Sequence, residues 1–169
     1  MDAYLAIVSR REVRDYDRRP LPDEVIDRIL QAGRLAGSSQ NSQPWRFIAV
    51  TSRSLLDRLA ETVYVPGNLR AAALAVVIAT RGGRSAFDAG RAAQNMMIAA
   101  WNEGVGSCPN GMPDPQSAEA LVGLTEDENA RIILTFGYPA RPREPESRTA
   151  EEWVARANRK PFDEVVTRL

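Results

Sequence analysis

The sequence predicts one domain in which a β-sheet carries helices on both faces. Three observations lead there. Two continuous apolar runs, Val76-Val77-Ile78 and Ile132-Ile133-Leu134, have the composition of strands buried on both sides. Between them Ala86 to Glu103 reads as a long helix, apolar around much of its surface, which needs cover on several sides. A shorter strand, Phe47 to Thr51, lies between two amphipathic helical stretches, and strands separated by helices argue a mixed sheet with helices on both faces. A chain of 169 residues with 44% hydrophobic content can fill one sizeable core.

The elements follow in order. Asp2 to Ser9 is a short helix with Tyr4, Leu5 and Val8 on one stripe. Pro22-Asp23-Glu24 opens the next, because proline suits a first turn and carboxylates suit the positive end of the helix dipole. Its apolar positions Val25, Ile26, Ile29, Leu30, Gly33 and Ala36 recur at helical spacing, and Gly37 is placed to end it. Ser54 to Thr62 is a further amphipathic helix. The stretch from Gly137 to Pro145 carries three prolines, Pro139, Pro142 and Pro145, among charged residues, and reads as an extended arm rather than a packed element. Helix resumes from Glu151 to Ala157. An arm with ordered structure at its end fits a homodimer that exchanges C-terminal segments, residues 137–169, between subunits; a disordered tail is the alternative.

Composition excludes several chemistries. Histidine is absent, so no Ser-His-Asp triad, Cys-His pair or His-ligated metal can form. One cysteine, Cys108, allows no intrachain disulfide and no four-cysteine cluster, which fits a reducing compartment. With no histidine to activate it, Cys108 reads as a structural thiol. Lys+Arg and Asp+Glu are 22 each, giving no general attraction to nucleic acid or anionic lipid. No apolar run approaches a membrane span and Met1-Asp2-Ala3 leads straight into a helical pattern, so a cytoplasmic protein is expected.

Two polar clusters point to a bound cofactor. The stretch Gly37-Ser38-Ser39-Gln40-Asn41-Ser42-Gln43-Pro44-Trp45-Arg46-Phe47 packs small polar side chains into one turn between a helix and a strand. About 30 residues upstream, Arg10-Arg11-Glu12-Val13-Arg14 offers cations that can neutralise a phosphate or another delocalised anion. Cys108-Pro109-Asn110-Gly111, taken alone, reads as a turn.

In their order and spacing these motifs resemble the nitroreductase family of flavin enzymes. The resemblance is carried by Arg10-Arg11-x-x-Arg14, Pro20-Leu21-Pro22, Ala36-Gly37 and the serine-rich turn through Phe47. Ala93-Gln94-Asn95-Met96, Gly104-Val105-Gly106-Ser107, Gly137-Tyr138-Pro139 and Arg159-Lys160-Pro161 extend it over nearly the whole chain. It implies an α+β fold with a mixed central sheet flanked by helices, an intertwined homodimer, and FMN held at the subunit interface. It also implies NADH or NADPH as co-substrate and a nitroaromatic, quinone or similar electron-poor acceptor reduced by a ping-pong mechanism. The chemistry would be borne by the cofactor, with no catalytic side chain.

The resemblance assigns roles residue by residue. Arg10 with Arg159 or Lys160 would clamp the phosphate, since guanidinium forks bind it bidentately. Arg14 would lie near the flavin's pyrimidine edge, where positive charge stabilises the reduced ring. Ser38, Ser39 and Asn41 would reach the cofactor of the opposite subunit, and Asn68 and Arg70 the ring's polar edge. Pro109, Asn110 and Gly111 would cross the ring near N5. Arg11 and Glu12 belong to the phosphate region, but many family members carry a small polar residue at the position of Glu12. A carboxylate there repels phosphate unless Arg11 or Arg14 intervenes. The chain is also shorter than the larger nitroreductases and lacks the helical insertion that covers their pocket, which implies a more open or differently lidded site. A flavin-storing or sensing protein without turnover, and a family offshoot with specialised flavin or metabolite chemistry, are the alternatives.

Overall fold

The computed structural model describes residues 1–82 and 85–169. In chain order the elements are α1 (Ala3–Ser9), α2 (Asp23–Arg34), β1 (Trp45–Val50), α3 (Arg53–Ala60), α4 (Pro66–Ala71), β2 (Leu74–Arg81) and α5 (Ala86–Asn102). They continue with β3 (Gly106–Asn110), α6 (Pro115–Val122), β4 (Glu128–Gly137), α7 (Ala150–Ala155) and α8 (Phe162–Val165). The chain forms two compact units, one of Arg11–Arg143 and one of Met1–Arg10 with Glu144–Leu169.

The larger unit is built on one sheet in the order β1-β2-β4-β3. Alternation along β2 assigns its two faces. Leu74, Val76 and Ile78 join Leu134 and Phe136 of β4 against Ile29 of α2 and Ala89, Ala93, Met96, Met97 and Ala100 of α5. Ala75 and Val77 join Ile133 against Leu56, Leu59 and Ala60 of α3, Leu69 of α4 and Ala118 of α6. The two apolar runs are therefore strands covered on both faces, as their composition requires. Gly33 lets α2 approach α5 closely, since a Cβ there would overlap the Met96 side chain.

The ladders β1–β2, β2–β4 and β3–β4 are all antiparallel. The mixed character expected of the sheet is confined to one isolated parallel bridge, Glu12 to Ser107. A continuous apolar run reports burial on both faces but not strand direction, so the sequence could not separate the two arrangements. Cys108 to Asn110, part of the stretch Cys108–Gly111 that reads as a turn, belongs to the strand Gly106–Asn110. Its Gly-Ser-Cys-Pro-Asn composition is turn-like, but pairing with β4 overrides propensity, and Pro109 is tolerated because β3 lies at the sheet edge.

Residues 138–140 are not a loose arm. Tyr16 bridges Pro139, the Asp17 amide donates to the Tyr138 carbonyl at 3.0 Å, and the Ala140 amide donates to the Asp15 carbonyl at 3.0 Å. The segment 12–17 thus lies across the end of the sheet, over Gly106 and Gly137, which face each other in the β3–β4 register. A Cβ on Gly106 would come within 2.6 Å of Val13 Cβ, and one on Gly137 within 2.9 Å of the Tyr16 ring. The two glycines make the flat seat on which this segment rests.

In the smaller unit α1 packs against α7. Asp2 caps α1 by accepting from the Leu5 amide at 2.9 Å, and Thr149 and Glu152 form a reciprocal capping box on α7. Trp153 Nε1 donates to the Pro145 carbonyl at 2.7 Å, and the Arg148 guanidinium lies 5.1 Å from the Trp153 ring. Helix α8 is exposed throughout.

The glycine seat makes a direct prediction. Gly106→Ala should lower the unfolding free energy by about 1–3 kcal/mol through overpacking against Val13. Gly67→Ala, with open space around the position, should instead raise it by roughly 0.4–1 kcal/mol. Urea titrations of both variants read the two opposite shifts.

Candidate functional site

A buried polar network secures the segment 12–17 to the sheet. Tyr16 is 4% exposed, and its hydroxyl donates to the Val13 carbonyl at 2.6 Å and shares a hydrogen bond with Thr135 Oγ1 at 3.0 Å. The one Thr135 hydroxyl proton is shared between the Tyr16 oxygen and the Cys108 carbonyl, 3.1 Å from Thr135 Oγ1. The Asn110 amide nitrogen reaches the Cys108 carbonyl at 2.9 Å, the Ile133 carbonyl at 3.2 Å and Thr135 Oγ1 at 3.2 Å. Asn68 Nδ2 donates to Asn110 Oδ1 at 2.8 Å. One connected set of bonds therefore joins α4, β3, β4 and the N-terminal segment. In a low-dielectric interior such a set fixes geometry, because every broken bond leaves a buried group unpaired.

This network controls what the strand end presents. The Asn110 side chain is turned inward and locked, while Pro109 and Gly111 on either side are exposed. The Gly111 carbonyl accepts from the Tyr64 amide at 3.2 Å, and a Cβ on Gly111 would come within 3.4 Å of the Tyr64 ring. The loop thus offers a fixed surface bounded by an exposed aromatic. Cys108 is buried at the base of the same loop, in keeping with a structural thiol. Among the described residues no cluster of His, Cys, Asp and Glu could hold a metal ion.

The predicted site residues divide by unit. Arg10, at the C-cap of α1, shares the smaller unit with Arg159 and Lys160, which are exposed. Arg11, Glu12 and Arg14 belong to the larger unit. Glu12 pairs with Ser107 through the main chain, and the Val13 amide donates to the Ser107 carbonyl at 3.0 Å. Arg14 lines a groove together with Arg141 and Arg143. Asn68, expected at the ring's polar edge, and Asn110, expected near N5, hydrogen-bond each other within the network. Arg70 forms an ion pair with Glu61.

Ser38, Ser39 and Asn41 form an exposed turn after α2. Gln40, Asn41 and Gln43 have φ of 52°, 55° and 47°, which costs free energy for residues other than glycine and clusters at functional turns. Ser38 Oγ accepts from the Gln43 amide at 2.9 Å and closes the turn, and the Ser39 amide donates to Asp88 Oδ2 at 3.4 Å. Among the described residues no hydrogen bond joins this turn to the Asn68–Asn110 network.

Sequence reasoning missed Tyr16 and Thr135. The available signal was Thr135 itself, a lone hydroxyl inside the apolar stretch Ile132 to Phe136, which must find a partner once buried. It also passed over Arg141 and Arg143, read only as charges on the arm.

Burial raises the Tyr16 phenol above its ordinary 10.0, and its hydrogen bond to Thr135 opposes the shift only in part. The folded chain therefore binds this proton more tightly than the unfolded chain. The stabilisation is complete below pH 10.0 and is lost as pH rises from there toward the folded value. Tyr16→Phe should cost about 1–2 kcal/mol at neutral pH. It should also remove a slope of up to about 1.4 kcal/mol per pH unit in the alkaline range. Unfolding free energies of wild type and variant at about pH 8 and about pH 11 check both effects.

Comparison with known proteins agrees with this architecture. The nitroreductase family profile matches residues 7–79 and 66–138. A protein of Archaeoglobus fulgidus, provisionally named NADH dehydrogenase/NAD(P)H nitroreductase, is 33% identical over 144 residues, covering 79% of this chain and 83% of its own. A Parabacteroides distasonis structure with the same provisional name superposes with a TM-score of 0.84 at 26% identity, covering 99% of this chain and 98% of its own. A Desulfovibrio desulfuricans structure, provisionally a nitroreductase and solved in complex with FMN, shares the fold with a TM-score of 0.81 at 24% identity over 100% of this chain and 98% of its own. The chain belongs to the nitroreductase family of oxidoreductases.

Proposed function

We propose that this protein is an FMN-dependent oxidoreductase that takes a hydride from NADH or NADPH and reduces a nitroaromatic, quinone or similar electron-poor acceptor in ping-pong fashion. The observation that carries the reading is the locked strand end. Asn110 is tied inward by the network while Pro109 and Gly111 face outward, so a rigid main-chain surface is available for a flat ring. The donor set fits FMN: exposed guanidinium at Arg14, exposed hydroxyl and amide groups at Ser39 and Asn41, and Arg10, Arg159 and Lys160 together in the smaller unit.

FMN, when bound, supplies both hydride acceptance and hydride donation. The chain's own groups bind and orient. Arg10 with Arg159 or Lys160 neutralises the phosphate. Arg14 holds positive charge at the pyrimidine edge and favours the reduced ring. Pro109 and Gly111 supply an exposed surface beside the Tyr64 ring, and the hydrogen bonds of Asn110, Thr135 and Tyr16 keep it from shifting. The chain has no histidine, so water and main-chain groups manage the protons.

The reading includes a homodimer with exchanged C-terminal arms. Its support is apolar surface exposed at two places. Phe162, 67% exposed, is followed by exposed Val165, Val166 and Leu169 along the tail. In the larger unit, Leu35 is 70% exposed and Phe87 77% exposed, near a groove of about 580 Å³ lined by Ala36, Gly37, Gly90 and Arg91. Exposed apolar surface of this kind is characteristic of subunit contacts.

Anaerobic addition of NADPH to the FMN-loaded protein should bleach the yellow absorbance, and a nitroarene should restore it. Binding of FMN without bleaching would favour the storage reading. Arg10→Ala should weaken FMN binding by about tenfold or more, and unchanged retention would remove Arg10 from the clamp. Deleting residues 145–169 should convert a dimer to a monomer in light scattering, and a dimer that persists would refute arm exchange.

A further inference from the structure

The exposed turn 38–43 is held to the rest of the protein by a single carboxylate. Gln40, Asn41 and Gln43 all take positive φ, a conformation that residues with side chains keep only where their surroundings impose it. Within the turn, Ser38 Oγ accepts from the Gln43 amide at 2.9 Å, and the Asn41 and Ser42 amides donate to the Ser38 and Ser39 carbonyls at 3.1 Å and 3.0 Å. These bonds close the turn but do not fix where it sits. Among the described residues, the bond from the Ser39 amide to Asp88 Oδ2, 3.4 Å long, is the one hydrogen bond that ties residues 38–43 to a distant part of the chain.

Asp88 stands in the first turn of the long helix α5 and is 7% exposed. A carboxylate at a helix start is ordinarily explained by the helix dipole. A buried carboxylate also needs hydrogen-bond donors, however, and the donor here is the Ser39 amide, 49 residues earlier in the chain. The other oxygen, Oδ1, faces the Arg91 guanidinium at 3.8 Å, three residues along the same helix. Arg91 in turn lies against Gly37, where a Cβ would overlap its guanidinium. Asp88 and Arg91 therefore meet the chain at the entry to the turn and at its second residue. Because α5 is packed into the core through Ala89, Ala93, Met96 and Met97, the turn takes its position from a rigid element.

We propose that Asp88 is a positioning residue of the cofactor site: by accepting from the Ser39 amide it fixes the turn whose Ser39 and Asn41 meet the flavin. The proposal rests on the oxidoreductase reading above, which gives those two residues to the cofactor of the opposite subunit. Asp88 acts through the turn, and its contribution is preorganisation. An anchored turn meets its ligand already ordered, whereas an unanchored one must be ordered at the expense of binding free energy. What the turn requires of residue 88 is an acceptor oxygen at this place; the negative charge is secondary, since its nearest cation, Arg91, is half exposed.

The test compares wild type, Asp88→Ala and Asp88→Asn by FMN dissociation constant from fluorescence quenching and by the hydrogen-exchange rate of the Ser39 amide from NMR. Ser39 is exposed, so water can replace the lost acceptor and the fold is retained, which urea midpoints check. Asp88→Ala should weaken FMN binding by about tenfold or more and speed Ser39 exchange by a similar factor. Asp88→Asn, whose side-chain carbonyl can still accept from that amide, should stay within about threefold of wild type in both. A folded Asp88→Ala protein that binds FMN like wild type would overturn the proposal. Equal losses in the Asn and Ala variants would also overturn it, by assigning the effect to charge rather than to the hydrogen bond. If wild type binds no FMN, the flavin reading falls, and Ser39 exchange alone then decides: faster in Asp88→Ala only, it upholds Asp88 as the anchor of the turn; unchanged, it removes that as well.

Discussion

The arrangement depends on how segment 12–17 sits on the end of the sheet. Gly106 and Gly137, opposite each other on β3 and β4, leave no side chain between the sheet and that segment. Val13 and Tyr16 fill the space, joined in one small apolar cluster by Ala72 and Trp101. The Tyr16 hydroxyl then enters the buried bonds of Thr135 and Asn110. Apolar packing alone would let the segment slide along a smooth surface; the phenol, with few alternative partners, fixes its register.

Two functional consequences follow from this one seat. On one side it places Arg14 in the lining of a groove that Arg141 and Arg143 also line. On the other, the same hydrogen bonds reach through Thr135 to Asn110 and hold the strand end where Pro109 and Gly111 face outward. The residues that fix the site are therefore buried, and the residues that would meet a ligand are exposed. This division fits a cofactor enzyme, in which the protein supplies position and charge while the cofactor supplies the hard chemistry.

Much of this was legible in the sequence because it is written in periodicity. The apolar runs at Val76 and Ile132 gave the central strands, and the helices around Ile29 and Met96 gave the cover of one face. What was not legible depends on pairing between distant segments. β3 carries turn-forming residues and becomes a strand only because β4 offers it partners. Residues 138–140 carry the composition of an extended arm, and they pair with 15–17 of the same chain. Asn68 and Asn110 are expected at the cofactor by resemblance alone, and the hydrogen bond between them depends on a pairing of distant segments that periodicity does not report. Arg141 and Arg143 line one groove with Arg14, from which they are distant in sequence.

The central claim is that buried bonds remote from any ligand hold the flavin surface in place. It is tested most directly by the FMN dissociation constant of Thr135→Val, measured by fluorescence quenching. The substitution conserves shape and removes the hydroxyl shared by Tyr16, Asn110 and the Cys108 carbonyl. The account predicts FMN binding weakened by about tenfold, although residue 135 is fully buried. An unchanged dissociation constant in a folded Thr135→Val protein would contradict it.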